Sequence, residues 1–170
     1  MNLKKSAILT SLALATALVA APTDTEAFSA QLVGDNEVPP INSTGSASFQ
    51  MEVGTTITFT LTYSGLSGAP AVAHLHFAPP SVAGGVMIFL CGGGGQSACP
   101  ATTSGTITGT IMASNVVGPT AQGIAAGDLT SALEAVRDGS AYANMHTANF
   151  PGGEIRGQVR RGKGHGKKND

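Results

Sequence analysis

Residues Thr56 to Tyr63 read Thr-Ile-Thr-Phe-Thr-Leu-Thr-Tyr, and this strict alternation limits the fold more than any other stretch. Successive side chains on a strand point to opposite faces. Ile57, Phe59, Leu61 and Tyr63 therefore share one face, and Thr56, Thr58, Thr60 and Thr62 the other. A helix would scatter both sets around its axis. The pattern belongs to an antiparallel sheet with one face on a core and one in water.

Similar short runs recur between Gly, Pro, Asn and Asp, and predict strands over Phe28–Val33, Ser46–Val53, Thr56–Tyr63, Ala71–Phe77, Val86–Leu90, Gly105–Met112, Ala141–Thr147 and Glu154–Arg160. Gly54-Thr55 joins the second and third as a hairpin. One segment breaks the rhythm. Leu129, Ala132, Leu133 and Val136 fall at helical spacing, with Asp128 to cap the start and Gly139 to end it. Residues 113–127 show no period and read as a loop. Charged residues are only 11% of the chain, and glycine is abundant. That balance excludes disorder for the body of the chain and favours an all-β sandwich with one short helix covering an edge or end.

The two ends read differently from the body. Met1 to about Ala21 carries Lys4 and Lys5, then an uncharged Ala- and Leu-rich run from Ala7 to Ala20. This is the layout of a signal peptide, cleaved near Ala21 or as late as Ala27. The run is shorter than the roughly 20 apolar residues of a membrane span and ends at Pro22. No cysteine near the cut offers a lipid attachment. An exported, periplasmic or secreted chain of one domain is expected, without a transmembrane segment in its mature form. From Phe28 to Val159 there are seven acids against Arg137 and Arg156, a net charge of −5. That balance argues against nucleic acid as a partner. Arg160 to Asp170 holds five basic residues spaced by glycine and nothing apolar to bury. It reads as a mobile basic tail that aids solubility, or touches an anionic surface or an extracellular protein.

Cys91 and Cys99 flank Gly92-Gly93-Gly94-Gly95-Gln96-Ser97-Ala98. In an exported chain, an isolated pair this close is expected to form a disulfide. Closing so short a loop stabilises by about 2–3 kcal/mol. The rival reading, a metal or redox pair, normally has a gap of two residues.

The chemistry lies in three histidines. His74 and His76 sit two apart on a predicted strand, so both rings leave the same face, while Leu75 packs behind them. Tyr142, Asn144 and His146 share a face of a later strand. If the two strands meet, three imidazoles can hold one ion, copper or zinc, and leave a position for water or substrate. The alternative role is hydrogen bonding within the fold. His165 lies in the tail. No nucleophile elbow or phosphate loop is present, the cysteines lack a basic neighbour, and the few acids offer no glycosidase pair. Glu37 precedes Pro39-Pro40, and a structural hydrogen bond or ion pair is its expected role.

The segments Ala30–Pro40 (with Glu37-Val38-Pro39-Pro40), Ser64–Gly68, Ala73-His74-Leu75-His76, Tyr142–Thr147 and Pro151–Gln158 (with Gly152-Gly153-Glu154-Ile155-Arg156-Gly157-Gln158) occur in an order that resembles the CHRD domain. That domain is repeated in chordin and found singly in many exported bacterial proteins. The resemblance runs from about Phe28 to Val159. In chordin the repeats belong to an extracellular antagonist of growth factors; this chain lacks the cysteine-rich modules of chordin, so that role does not transfer. A weaker likeness concerns the site alone. Copper-zinc superoxide dismutase is a Greek-key sandwich with an His-x-His strand, a distant third copper histidine and a Gly-rich turn before an active-site arginine. His74, His76, His146 and Arg156 follow that order. The likeness implies a Greek-key arrangement and a copper oxidoreductase in which Arg156 steers or holds an anion. An ion pair of Arg156 with Glu37 or Glu154 is the plainer expectation. No histidines remain for a zinc half-site, so one ion is the most that is implied.

Overall fold

The computed structural model describes residues 25–162. The signal segment Met1 to Ala21 and the tail from Lys163 onward lie outside the described residues. The strands are β1 (Glu26–Val33), β2 (Ser46–Val53), β3 (Ile57–Ser64), β4 (Pro70–Phe77), β5 (Gly85–Cys91), β6 (Gly105–Ile111), β7 (Ala141–Thr147), β8 (Ile155–Gln158) and β9 (Arg160–Arg161). One helix, α1 (Leu129–Arg137), precedes β7. Among the described residues no helix is long and apolar enough to cross a membrane.

All strand pairs are antiparallel, in the order β5-β4-β7-β8-β1-β2-β3-β6. The sheet is continuous rather than split in two, and it curls until its outermost strands, β5 and β6, lie against each other. A nearly closed barrel results, which leaves few unpaired edges. β7 does not pair with β6, the strand before it in sequence, but crosses back to lie beside β4.

The alternation dictates which side chains enter the barrel. Phe49 and Leu61 face each other in register across β2 and β3, and Met51 faces Phe59. All four are buried, as are Leu32, Leu75, Met87, Leu90, Met145 and Ile155 from the remaining strands. Each such side chain contributes about 1.5–3 kcal/mol relative to exposure. The hairpin at Gly54-Thr55 forms, with Val53 paired to Ile57. The helix forms over the expected residues, and the Asp128 carboxylate accepts from the Ser131 amide at 3.0 Å. Ala132 and Val136 enter the core. Arg137 reaches back to Glu26 at 2.6 Å, which fixes the helix beside the start of β1.

Arg160 and Arg161, the first residues of the expected tail, pair with Ser29 and Phe28 of β1. Arg161 also bonds Glu26. The sheet therefore extends past Val159, because the edge of β1 beyond β8 is open to one more short strand. Cys91 and Cys99 are joined by a disulfide with Cα atoms 5.0 Å apart. The glycines between them do more than close the ring. Gly93 and Gly94 lie against the Phe89 ring, and a Cβ at either would stand only 2.6–2.7 Å from it.

Candidate metal centre

β4 and β7 are neighbours, and their register places Val72 opposite His146, His74 opposite Asn144, and His76 opposite Tyr142. Leu75, Ala143 and Met145 point into the barrel, so the two histidines of β4 and His146 share its outer face. Phe89 of β5 lies opposite His74 and Arg156 of β8 lies opposite Asn144. The outer face would ordinarily be wet. Here the histidines are only 6–8% exposed, because loops cover them.

The ring nitrogens of His74, His76 and His146 lie within 4.8 Å of one another, and the cluster can hold one metal ion. Nitrogens at 2.0–2.1 Å from one ion span at most about 4 Å, so the cluster must contract by under about 1 Å. Backbone carbonyls set the tautomers. His76 Nδ1 lies 3.0 Å from the Gly84 carbonyl and His146 Nδ1 lies 3.1 Å from that of Pro151. A carbonyl can only accept, so both rings carry their proton on Nδ1 and keep a lone pair on Nε2. The His146 Nε2 faces His74 Nδ1 at 3.2 Å. The Nε2 of His76 is buried with no partner at all. An orphaned buried acceptor is costly unless something binds it. Metal-bound histidines are held by this kind of carbonyl contact on the far nitrogen.

The donors are also neutral. Burial is the main cause that lowers the His74 pKa, to about 3, with repulsion from His146 and His76 adding to it. Burial lowers His76 to about 4, against the opposing pull of the Gly84 carbonyl. His146 is lowered by burial too, partly offset by Pro151. Neutral imidazole is the form that binds metal.

The aromatic surroundings fix the rings. His74 meets the edge of Phe89 at 4.4 Å. His76 stacks on Tyr142 with centroids 4.7 Å apart and planes 4° from parallel. On the β8 side, the Arg156 guanidinium lies 3.6 Å over the same Tyr142 ring. Its Nη2 donates to the Val82 carbonyl at 3.0 Å. The expected ion pair of Arg156 with Glu37 or Glu154 does not form; among the described residues the ion pairs are those of Glu26 with Arg137 and Arg161. Both carboxylates are engaged elsewhere. Glu37 accepts from Asn144 Nδ2 at 2.6 Å, and burial pushes its pKa up to about 7 against that bond and the charge of Arg156. Glu154 is fully buried and accepts from Ser43 Oγ, Ser67 N, Ser67 Oγ and Thr147 Oγ1 at 2.7–2.8 Å. Burial raises its pKa, but these donors outweigh it and hold the group below the ordinary value.

Sequence reasoning brings the three histidines together and misses what holds them. Phe89 gives no signal beyond strand parity. The Gly84 and Pro151 contacts are backbone and have no side-chain signature, although a glycine at 84 is diagnostic in retrospect, since a Cβ there would collide with the Phe77 carbonyl.

No curated protein and no solved structure matches this chain. The family model described as CHRD domain matches residues 28–159, which spans all of β1 to β8 except the first two residues of β1, and includes every residue of the site. The chain belongs to the CHRD domain family.

Proposed function

We propose that this protein is an exported, single-domain module that binds one transition-metal ion, copper ahead of zinc, through His74, His76 and His146. The observation that carries the reading is the orphaned, buried Nε2 of His76 beside two further imidazole nitrogens. Three nitrogen donors without thiolate favour copper(II) over zinc on the general affinity order. A bound ion would take the place of the proton that His74 Nδ1 donates to His146 Nε2; that proton would move to His74 Nε2, and both carbonyl contacts would stay. The disulfide fits an oxidising compartment outside the cytosol.

Binding is favoured over redox catalysis by the state of Arg156. An arginine that draws anions to a metal must present its donors to the metal; here the guanidinium sits over the Tyr142 ring with one donor committed to Val82. The test is a titration of purified mature protein with Cu(II) and with Zn(II), read as stoichiometry. One equivalent is expected, with copper tighter, and His74→Ala should abolish equimolar binding. No equimolar binding, or binding that survives the substitution, defeats the reading. Superoxide dismutation by the copper-loaded protein above that of free copper would replace the binder with an enzyme.

A further inference from the structure

On the far side of Tyr142 from the histidines lies a cleft of about 410 Å³, lined among others by Asn36, Glu37, Pro80, Ser81, Arg156 and Gln158. None of the three histidines lines it. Its size is that of a small-ligand site. Arg156 is 3% exposed and, among the described residues, has Val82 as its one hydrogen-bond acceptor and no carboxylate within ion-pair distance. A buried guanidinium with no directly paired carboxylate is unfavourable, and the Tyr142 face and the more distant Glu37 compensate only in part. Its planar fork matches a carboxylate, which it can bind through two parallel hydrogen bonds.

The remaining lining explains why a bare anion is a poor fit. Asp35 and Glu37 also face the cleft and would repel a dianion. They accept well from hydroxyls. Gln158 donates its Nε2 hydrogens to Ala78 and Gly139, which leaves its side-chain oxygen as a further acceptor. Ser81 holds a left-handed backbone, φ 62°, at the lip. Such strain in a residue other than glycine clusters at binding sites. We propose that this cleft binds a small hydroxylated monocarboxylate of the sugar-acid class, with Arg156 on the carboxylate and Asn36, Glu37, Ser81 and Gln158 on the hydroxyls. The site is independent of metal, since the Tyr142 ring stands between the two.

Calorimetry on the full mature chain, metal-free, tests this with four probes: D-glucuronate, D-glucose, acetate and inorganic phosphate. Glucuronate should bind at least tenfold more tightly than glucose or acetate, and phosphate should not compete. Arg156→Lys, which keeps the charge and loses the fork, should weaken glucuronate at least tenfold. Because Arg156 is buried, Asn36→Ala on an exposed residue gives a second arm, with affinity reduced about threefold and an unchanged melting temperature. Equal binding of glucose and glucuronate, phosphate binding in place of glucuronate, or wild-type affinity in either folded variant overturns the proposal. So does glucuronate binding that appears only after copper loading, since the carboxylate would then sit on the metal. A chain that takes up no copper but binds glucuronate loses the metal reading and keeps this one.

Discussion

Strands β3 and β7 belong to one sheet, and they treat their outer faces in opposite ways. Along β3, Ile57, Phe59, Leu61 and Tyr63 are buried while Thr58, Thr62 and Ser64 meet solvent. Along β7 every residue from Ala141 to Thr147 is buried. The half formed by β1, β2, β3 and β6 has an outer face mainly of hydroxyl, amide and carboxylate groups open to water. The half formed by β5, β4, β7 and β8 has an outer face of imidazole, phenol and guanidinium beneath loops. The inner faces are alike. A polar face does not bury itself without reason, because each group must keep a partner. The roofed half meets that demand through Gly84, Pro151, Val82 and Glu37, and leaves the Nε2 of His76 and the Oδ1 of Asn144 without one. One half of the barrel is scaffold, and the other is scaffold with a site laid over it.

Acid should break this difference first, and with the largest effect. The three histidines have folded pKa values below the ordinary 6.5, about 3 for His74 and about 4 for His76. Their contribution to stability is complete above the unfolded value and is lost as pH falls from about 6.5 toward 4, where the unfolded chain takes up protons that the folded one refuses. Glu37 has the opposite sign. Its folded pKa is raised to about 7, so its contribution is complete below about 4.5 and is lost as pH rises through 7. Three imidazoles outweigh one carboxyl, so metal-free protein should lose several kcal/mol between pH 6.5 and 4, at roughly 1.4 kcal/mol per pKa unit and group. Thermal melts across that window measure it. A melting temperature that stays level would mean that the histidines are not buried as neutral rings.

The loops that meet at the end of β7 should fail next. Glu154 ties together Ser43 and Ser67, from the loops on either side of β2 and β3, with Thr147 at the end of β7. Glu154→Ala leaves four donors unanswered in a dry place. The expected cost is about 3–5 kcal/mol in urea denaturation. A cost under about 1 kcal/mol would show that these loops hold together without it.

The scaffold half was legible in the sequence because alternation is a local signal. Thr56 to Tyr63 states its own two faces, and the Leu129–Val136 stripe states its helix. Parity also places His74, His76 and His146 on chosen faces. Parity could not say that those faces would be covered. The cover comes from residues 34–41, 78–84 and 148–154, where Gly, Pro and Asn carry no period, and its bonds run through backbone carbonyls that every residue possesses. Arg156 illustrates the limit. Its position was evident, but the choice between an ion pair and a stack on Tyr142 depends on where Glu37 and Glu154 spend their oxygens, and Asn144, Ser43, Ser67 and Thr147 take them. The strand that continues past Arg160 into the expected tail has a related cause. Arg160 and Arg161 have no apolar pattern, and their strand exists because β1 offers an open edge.

The finest test applies one substitution to both halves. Thr60 stands on the outer face of β3, and Thr147 ends β7 on the parity of Met145, 1% exposed. Replacing threonine by valine keeps the shape and deletes a hydroxyl in each case. At Thr147 that hydroxyl donates to the Glu154 carboxylate at 2.7 Å and accepts from the Phe150 amide at 3.3 Å. Its loss should cost about 1.5–3 kcal/mol, the range for a hydrogen bond to a charged group. At Thr60 water replaces the partner, and valine suits a strand equally well. The change there should stay within about 0.5 kcal/mol. The informative quantity is the difference between the two, measured by urea denaturation under one condition. If Thr147→Val proves as mild as Thr60→Val, the end of β7 is wetter than its burial implies, and water rather than Thr147 satisfies Glu154. If Thr60→Val proves as costly as Thr147→Val, the open face is covered by something in solution, and the contrast between the two halves disappears.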